Sequence, residues 1–476
     1  MLKILCQEET YVYNAYHMGK AFYPSEPVEA SAEEKASHYV VLYLPSGKTL
    51  ALDEEPGEKE ERSIRKRRMD RKLYQALARE TGRSLAWGIL TGVRPTKIAM
   101  GKREAGMEEE AFLTWFEETY LVSPRKARLA YEIAGREQAL LERLDYQDGY
   151  SLYVGIPFCP SVCTYCSFSS GSLEQWGGYV EPYLAALYKE LEWISRACRE
   201  KKLNTIYFGG GTPTSLDAGQ LDRLLGWVDE LFSREHLLEY TVEAGRPDSI
   251  DREKLKVLRS HEVTRISINP QSMQQRTLDL IGRRHSVEEV LSAFQMAREE
   301  GFDNINMDLI AGLPGEKTGD MKDTLEKIRA LDPDSLTVHS LAVKRAARMG
   351  QEGYIPGGEE IGDMLDLAAE TAREMGMSPY YLYRQKNIAG NFENTGYAKV
   401  DKAGIYNILI MEEKQSIIAA GAGASTKIVL REAAELPGSK NGKKTNLIRI
   451  ENVKAVDAYI ARIGEMIERK GEWLWR

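Results

Sequence analysis

Cysteine is scarce in this chain, with five in 476 residues. That is too few, and too unevenly placed, for a disulfide framework, so a reducing cytoplasm is expected. No apolar run approaches the roughly 20 residues that cross a bilayer. The opening Met1-Leu-Lys-Ile-Leu-Cys6 also lacks a secretory pattern, so no membrane partner is expected. Positive charge is in deficit: 64 Lys and Arg stand against 72 Asp and Glu, a net charge of -8. This argues against bulk binding of nucleic acid or anionic lipid and leaves room only for a local basic patch. Internal repeats and low-complexity tracts are absent.

Three of the five cysteines stand together in Tyr153-Val-Gly-Ile-Pro-Phe-Cys159-Pro-Ser-Val-Cys163-Thr-Tyr-Cys166, spaced C-x3-C-x2-C. Such clustering marks a metal site. Structural zinc takes four protein ligands, often as two C-x2-C pairs. Here no histidine falls inside the loop, and the nearest other cysteine, Cys198, lies in a helical pattern. Three thiolates on a four-iron cluster leave one iron open to a small molecule, which favours iron and sulfide over zinc or plain buried thiols. An open cluster is oxygen-labile, so low oxygen is implied. Cys6 and Cys198 read as buried apolar thiols.

The pattern divides the chain in three. Residues 1–148 form an α+β extension, with a hairpin over Tyr39–Tyr43 and Thr49–Leu52 and helices from 70 to 145. Its charge run, 53–72, ends in Arg62, Arg65, Lys66, Arg67, Arg68, Arg71 and Lys72 and reads either as a solvated helix face or as a patch for RNA or a substrate carboxylate. Its loop Trp87-Gly-Ile-Leu-Thr-Gly-Val-Arg94-Pro-Thr-Lys97 reads either as a binding element or as a helix connector. Residues 149–345 alternate strand and helix. Strands are expected at Leu152–Phe158, Thr205–Phe208, Tyr240–Ala244, Arg265–Ile268, Asn304–Ile310 and Ser335–Ser340. Helices are expected at 179–199, 217–232, 251–260, 287–300 and 319–330. The class is α/β, a partial (β/α)6 barrel, closed or nearly closed. Residues 346–476 form a mixed α+β domain that covers the substrate. It holds a helix at 359–375, the apolar glycine-rich stretch Ile417–Ser425, a strand at Leu447–Ile450 and a helix at 453–469.

In such barrels the working face is at the strand C-termini, where Cys159, Gly209-Gly-Gly-Thr212, Glu243, Gln271, Asp308 and His339 fall. The glycines of Gly209-Gly-Gly-Thr-Pro-Thr214 let backbone approach a ligand closely. No Lys-Ser/Thr follows them, which excludes a nucleotide P-loop. Glu243, Gln271, Arg283 and Asp308 suit a pocket for a cation with ribose hydroxyls: the carboxylates take hydroxyl and ammonium groups, and Arg283 takes a carboxylate. The plainer reading pairs Glu243 with Arg246 and makes Asp308 a turn cap. Tyr153 is either core or a ring near the cysteine loop, and His339 either a satisfied core histidine or part of the site. Arg384 and Lys386 read as substrate-carboxylate contacts or as surface charges.

These residues together resemble the radical S-adenosylmethionine (SAM) superfamily. Ile156-Pro-Phe-Cys159, Phe208-Gly-Gly-Gly-Thr-Pro-Thr214 and Asp308-Leu-Ile-Ala-Gly-Leu-Pro314 resemble its oxygen-independent coproporphyrinogen III oxidase group. The first 145 residues, with Thr91-Gly-Val-Arg-Pro-Thr96, resemble the HemZ-type branch of that group. The resemblance implies that Cys159, Cys163 and Cys166 hold a [4Fe–4S] cluster. It implies a SAM site lined by Tyr153, Gly210, Gly211, Thr212, Glu243, Gln271, Arg283 and Asp308. Cleavage of SAM would give a 5′-deoxyadenosyl radical that removes hydrogen from a propionate β-carbon; loss of CO2 and an electron leaves a vinyl group. The implied partners are a porphyrinogen, an electron donor and an electron acceptor. Well-studied members carry another cysteine where this chain has Phe168, and an N-terminal Pro-Arg-Tyr-Thr-Ser-Tyr-Pro arm that is absent here. A haem-binding chaperone of the same family and an RNA-modifying radical enzyme are the competing readings. The chaperone branch's His-Asn-x-x-Tyr-Trp segment is absent; the comparable stretch here is Asn394-Thr-Gly-Tyr397.

Overall fold

Alternating apolar strands and amphipathic helices build one large sheet, one small one and a separate two-stranded pair. The computed structural model describes residues 1–476 apart from 35–37, 54–60, 93, 169, 355–359, 386–388, 436–443 and 476. The small sheet is N-terminal: β1 (Leu2–Cys6), β2 (Val28–Ala32), β3 (Val40–Tyr43) and β4 (Thr49–Leu52), in the order β2-β1-β3-β4. The first two strands are parallel and are joined by the helix Glu9–Phe22; β3 and β4 form the expected hairpin. Leu2, Ile4, Phe22, Val40 and Leu42 meet Leu73 and Leu77 of the helix Arg62–Thr81 in a core of their own.

The large sheet begins with β5 (Gly149–Ile156), which Pro157 ends, since proline lacks the N–H a ladder needs. The cysteine loop follows, flanked by the two-residue strands β6 (Phe158–Cys159) and β7 (Gly171–Ser172), which pair with each other. Then come β8 (Lys202–Gly210), β9 (Glu239–Glu243), β10 (Arg265–Ser267), β11 (Ile305–Ala311) and β12 (Ser335–Ser340), with helices Val180–Ala197, Ala218–Leu231, Arg252–Ser260, Val287–Glu299 and Thr318–Leu331 between them. Strands β5, β8, β9, β10, β11 and β12 pair parallel in that order. The sheet is open rather than closed, because residues beyond 345 extend both of its edges. Strands β13 (Ser378–Tyr383) and β14 (Asn394–Ala398) add antiparallel beyond β12. Strand β15 (Ser416–Ala420) adds parallel to β5 and leads to the antiparallel pair β16 (Ser425–Glu435) and β17 (Lys444–Glu451). The apolar glycine-rich stretch is thus the fully buried strand β15 and the turn after it. The expected helix 453–469 is two helices, Val456–Ala461 and Ile463–Gly471.

Side chains between elements explain what the charged segments do. In the basic run, Arg65 pairs with Glu8 at 2.7 Å, Arg67 lies 5.3 Å over the Tyr120 ring, and Arg71 donates to the Glu118 carbonyl. These three cations serve packing inside the N-terminal part; residues 54–60 of the run lie outside the described residues. The 87–97 loop clasps the N-terminal part to the large sheet. Trp87 Nε1 donates to Glu393 Oε2 at 2.7 Å. Arg94 donates to the Met411 carbonyl and to Glu413 Oε2, the latter at 2.5 Å. Arg384 is buried and donates to the Leu90 carbonyl at 2.8 Å and to the Gly92 carbonyl at 3.3 Å. It is therefore neither a surface charge nor a substrate contact; Val93 and Lys386 lie outside the described residues. Among the described residues no helix is long and apolar enough to cross a membrane.

Candidate functional site

Beyond the C-terminal ends of β5 and β8–β12, and running down between the strands, lies one cavity of about 460 Å3. Its lining includes Cys159, Cys163 and Cys166 together with Tyr153, Gly210, Gly211, Thr212, Glu243, Gln271, Arg283 and Asp308. All eleven positions singled out from the sequence share this one space. Strand alternation explains it: inward-facing residues recur every second position, so each strand sends its last inward residues to the same end.

All three loop cysteines are free, two buried and Cys166 half-buried. Burial pushes Cys166 up to about 11 and raises Cys159 as well, against hydrogen bonds with Ser170 and Thr212. Thiols in such surroundings stay protonated until a metal or a cation favours the thiolate. An arginine lies against the remaining loop cysteine, Cys163. Arg246 Nη1 lies 3.5 Å from Cys163 Sγ and donates to the Ser161 carbonyl at 3.0 Å. Its other edge is fixed by Asp248, at 2.7 and 2.9 Å. Arg246 therefore pairs with Asp248, and the alternative pairing with Glu243 is not formed. Beneath the loop, Arg283 donates to the carbonyls of Asn269 at 2.6 Å and Gly245 at 3.3 Å.

The carboxylates differ in state. Glu243 accepts from Tyr207 OH at 2.5 Å. Burial raises its pKa to about 7, with the nearby Asp308 charge adding and the Tyr207 hydrogen bond opposing. Burial would raise Asp308 too, but the nearby His339 and the hydrogen bond from Asn306 hold it below its ordinary value. Asn306 Nδ2 donates to Asp308 Oδ1 at 2.7 Å, and His339 Nε2 lies 3.7 Å from Asp308 Oδ2. His339 is thus a cavity residue, with Tyr383 OH 3.3 Å from its Nδ1. Tyr153 stacks with Tyr207 and Tyr406, whose own rings are 4.3 Å apart. Gln271 adopts a left-handed φ of 67° and bridges the strand ends, donating its N–H to the Asp308 carbonyl at 2.9 Å.

The folded Glu243 keeps its proton to about 7 instead of the ordinary 4.5. Stability is then fully present below about 4.5 and is lost as pH rises toward 7, because ionising the buried group costs energy only in the folded state. E243Q removes that ionisation. In urea unfolding of the ligand-free chain it should add up to about 3 kcal/mol at pH 8 and change little at pH 4.

The residues fit an iron–sulfur cluster with an amino-acid-bearing sulfonium beside it. At Gly211 a Cβ would lie 2.4 Å from the Phe158 carbonyl oxygen and 3.0 Å from Cys159 Sγ, so only glycine allows this approach to the cysteine loop. Gln271 Oε1 and Asn269 Oδ1 are buried acceptors without a protein partner. Among the described residues no three His, Cys, Asp or Glu side chains converge on a single-ion site.

Sequence reasoning passed over Tyr207, Arg265, Ser267, Thr337, Tyr381 and Tyr406, all of which line the cavity. The first five did carry a signal: polar or hydroxyl-bearing residues at inward positions of otherwise apolar strands. Tyr406 is on the helix Ile405–Glu412, and nothing in its local sequence marks it.

Comparison with known proteins identifies the family. Residues 153–328 match the radical SAM superfamily. The chain is 43% identical over 374 residues to the oxygen-independent coproporphyrinogen-III oxidase-like protein HemZ of Bacillus subtilis, covering 77% of this chain and 75% of that protein. It is 31% identical over 280 residues to the heme chaperone HemW of the same organism, covering 58% of this chain and 70% of that one. The fold is that of the coproporphyrinogen III oxidase HemN of Escherichia coli, with a TM-score of 0.52, 22% identity, and 69% and 73% of the two chains covered. Members of this superfamily use a [4Fe–4S] cluster and SAM. The chain therefore belongs to the radical SAM superfamily and, within it, to the family of the oxygen-independent coproporphyrinogen-III oxidase-like proteins.

Proposed function

We propose that the chain is a radical SAM oxidoreductase that converts propionate side chains of coproporphyrinogen III to vinyl groups without oxygen, forming protoporphyrinogen IX. The observation that carries this reading is the single cavity joining the three-cysteine loop to a polar, tyrosine-walled interior. Cys159, Cys163 and Cys166 are the cluster ligands. Gly210, Gly211 and Thr212 present backbone to the amino-acid end of SAM, and Glu243 and Asp308 accept from its ammonium and hydroxyl groups, with Gln271. Arg283 faces its carboxylate, and Tyr153 closes the wall. When bound, the cluster and SAM supply an acceptor able to take hydrogen from the β-carbon of a propionate, after which CO2 and one electron leave. An electron donor and an electron acceptor are thus required partners. The cavity and its tyrosine walls orient the substrate and limit water at the reacting carbon.

Haem binding without turnover is the second reading, supported by the likeness to HemW. Protein reconstituted without air and offered SAM and coproporphyrinogen III is expected to release 5′-deoxyadenosine and CO2. Tight one-to-one haem binding with no CO2 would favour the second reading instead. An RNA-modifying role has less support, because Arg65, Arg67 and Arg71 are engaged within the N-terminal part.

A further inference from the structure

Four alternate residues along β10 and the chain that continues it, Arg265, Ser267, Asn269 and Gln271, line the cavity. Each is at least nine-tenths buried, at 2%, 4%, 9% and 8% exposure. Each also keeps one buried polar atom without a protein partner: Arg265 Nε, Ser267 Oγ, Asn269 Oδ1 and Gln271 Oε1. Buried polar atoms are nearly always hydrogen-bonded. Four such atoms at alternate positions form a polar strip built for a ligand that runs along the strand. The upper end, at Gln271, lies at the SAM site proposed above. The lower end is not accounted for by that site.

Arg265 is the unusual member. Its guanidinium is enclosed at the start of β10, and among the described residues it forms no ion pair. Among the described residues its side chain makes one hydrogen bond, from Nη2 to Ser335 Oγ, at 3.0 Å. Its charge acts on Glu243 and Asp308 without pairing directly with either, and the acid acting most on it is Glu239. That carboxylate is already committed, accepting from Ile405 N at 2.5 Å, Tyr406 N at 3.3 Å and Thr241 Oγ1 at 3.0 Å. Tyr207, Tyr380 and Tyr381 also stand close to Arg265. A buried cation with no directly paired anion is costly, and a planar guanidinium matches a carboxylate with two parallel N–H groups.

We propose that Arg265, with Ser267 beside it, is the anchor for a carboxylate of the substrate, held at the deep end of the cavity below the SAM site. This rests on the porphyrinogen reading, whose substrate carries propionate carboxylates. The anchor would fix which side chain reaches the cysteine end, because one carboxylate held at the floor sets how the rest of the ring stands in the cavity. Arg265 is then a specificity-determining residue.

The test uses the full chain with deuteroporphyrin IX, a dicarboxylic acid, and its dimethyl ester, followed by fluorescence titration. The native chain is expected to bind the diacid roughly 10-fold or more tighter than the ester. R265Q is expected to bind both alike, with its ester affinity unchanged. R265K, which keeps the charge but loses the fork, is expected to fall between, and serves if R265Q does not fold. If R265Q and R265K keep the full preference for the diacid, the anchor is elsewhere and the proposal fails while the porphyrinogen reading stands. If the native chain binds neither porphyrin, the porphyrinogen reading fails. The anchor is then judged by glutarate, which should raise the melting midpoint of the native chain and not that of R265Q. Equal shifts, or none, would overturn it as well.

Discussion

Replacing Cys163 with alanine will lower 5′-deoxyadenosine release from SAM by more than about 100-fold, since loss of a partner merely outside the ligand shell already costs 10- to 100-fold. The same variant, reconstituted without air, should retain far less iron. Cys163 is the cysteine that Arg246 touches, at 3.5 Å. With the sulfur gone, Arg246 keeps Asp248 and the Ser161 carbonyl, and the loop backbone stays tied. The defect should therefore appear in iron binding and SAM cleavage, with little change in melting temperature. C198A is the control. Cys198 is buried in the hydrophobic core, where burial pushes its thiol up to about 12. Its loss should cost some stability and no iron.

Lys470→Ala will destabilise the chain by about 3–5 kcal/mol in urea unfolding, the range expected when one partner of a buried ion pair is removed. Glu190 and Lys470 are both fully buried and pair directly. Tyr459 OH, at 2.5 Å, and the Gly421 N–H, at 2.8 Å, donate to one Glu190 oxygen. Asn452 Nδ2 donates to the other at 2.9 Å. Without the lysine, the carboxylate stays buried with its charge uncompensated. The double variant E190Q/K470M, which removes both charges, should lose less than K470A alone. The effect reaches the site through Gly421, whose φ is +107° and where a Cβ would lie 2.5 Å from the Gly155 carbonyl oxygen. That turn braces the end of β5 directly before the cysteine loop, so K470A should also bind iron less tightly.

The parallel strands were legible because each is a short apolar run followed by an amphipathic helix with its own stop. Ser335–Ser340 matches its expected bounds, and the other five differ at their ends by a few residues, where turns decide the boundary. The cysteine spacing and the strand-end positions placed the site for the same reason: parallel strands deliver their C-termini to one edge. The outer strands were not legible. β14 is set by pairing with β12, with β13 added on β14, and β15 by pairing with β5; the β12 and β5 partners lie about 60 to 270 residues away, which local pattern does not record. Nor does local sequence say which buried charge pairs with which. Arg384 reads from sequence as a ligand contact or a surface charge and holds the 87–97 loop instead; Arg265 goes unremarked in an apolar strand and lines the cavity. Long-range packing, rather than residue type, settles such assignments.

Iron, zinc and acid-labile sulfide, measured per chain on protein purified away from air, test the central claim most directly. The account predicts about four iron and four sulfide per chain, held by Cys159, Cys163 and Cys166. One tightly held zinc per chain with no sulfide would contradict it.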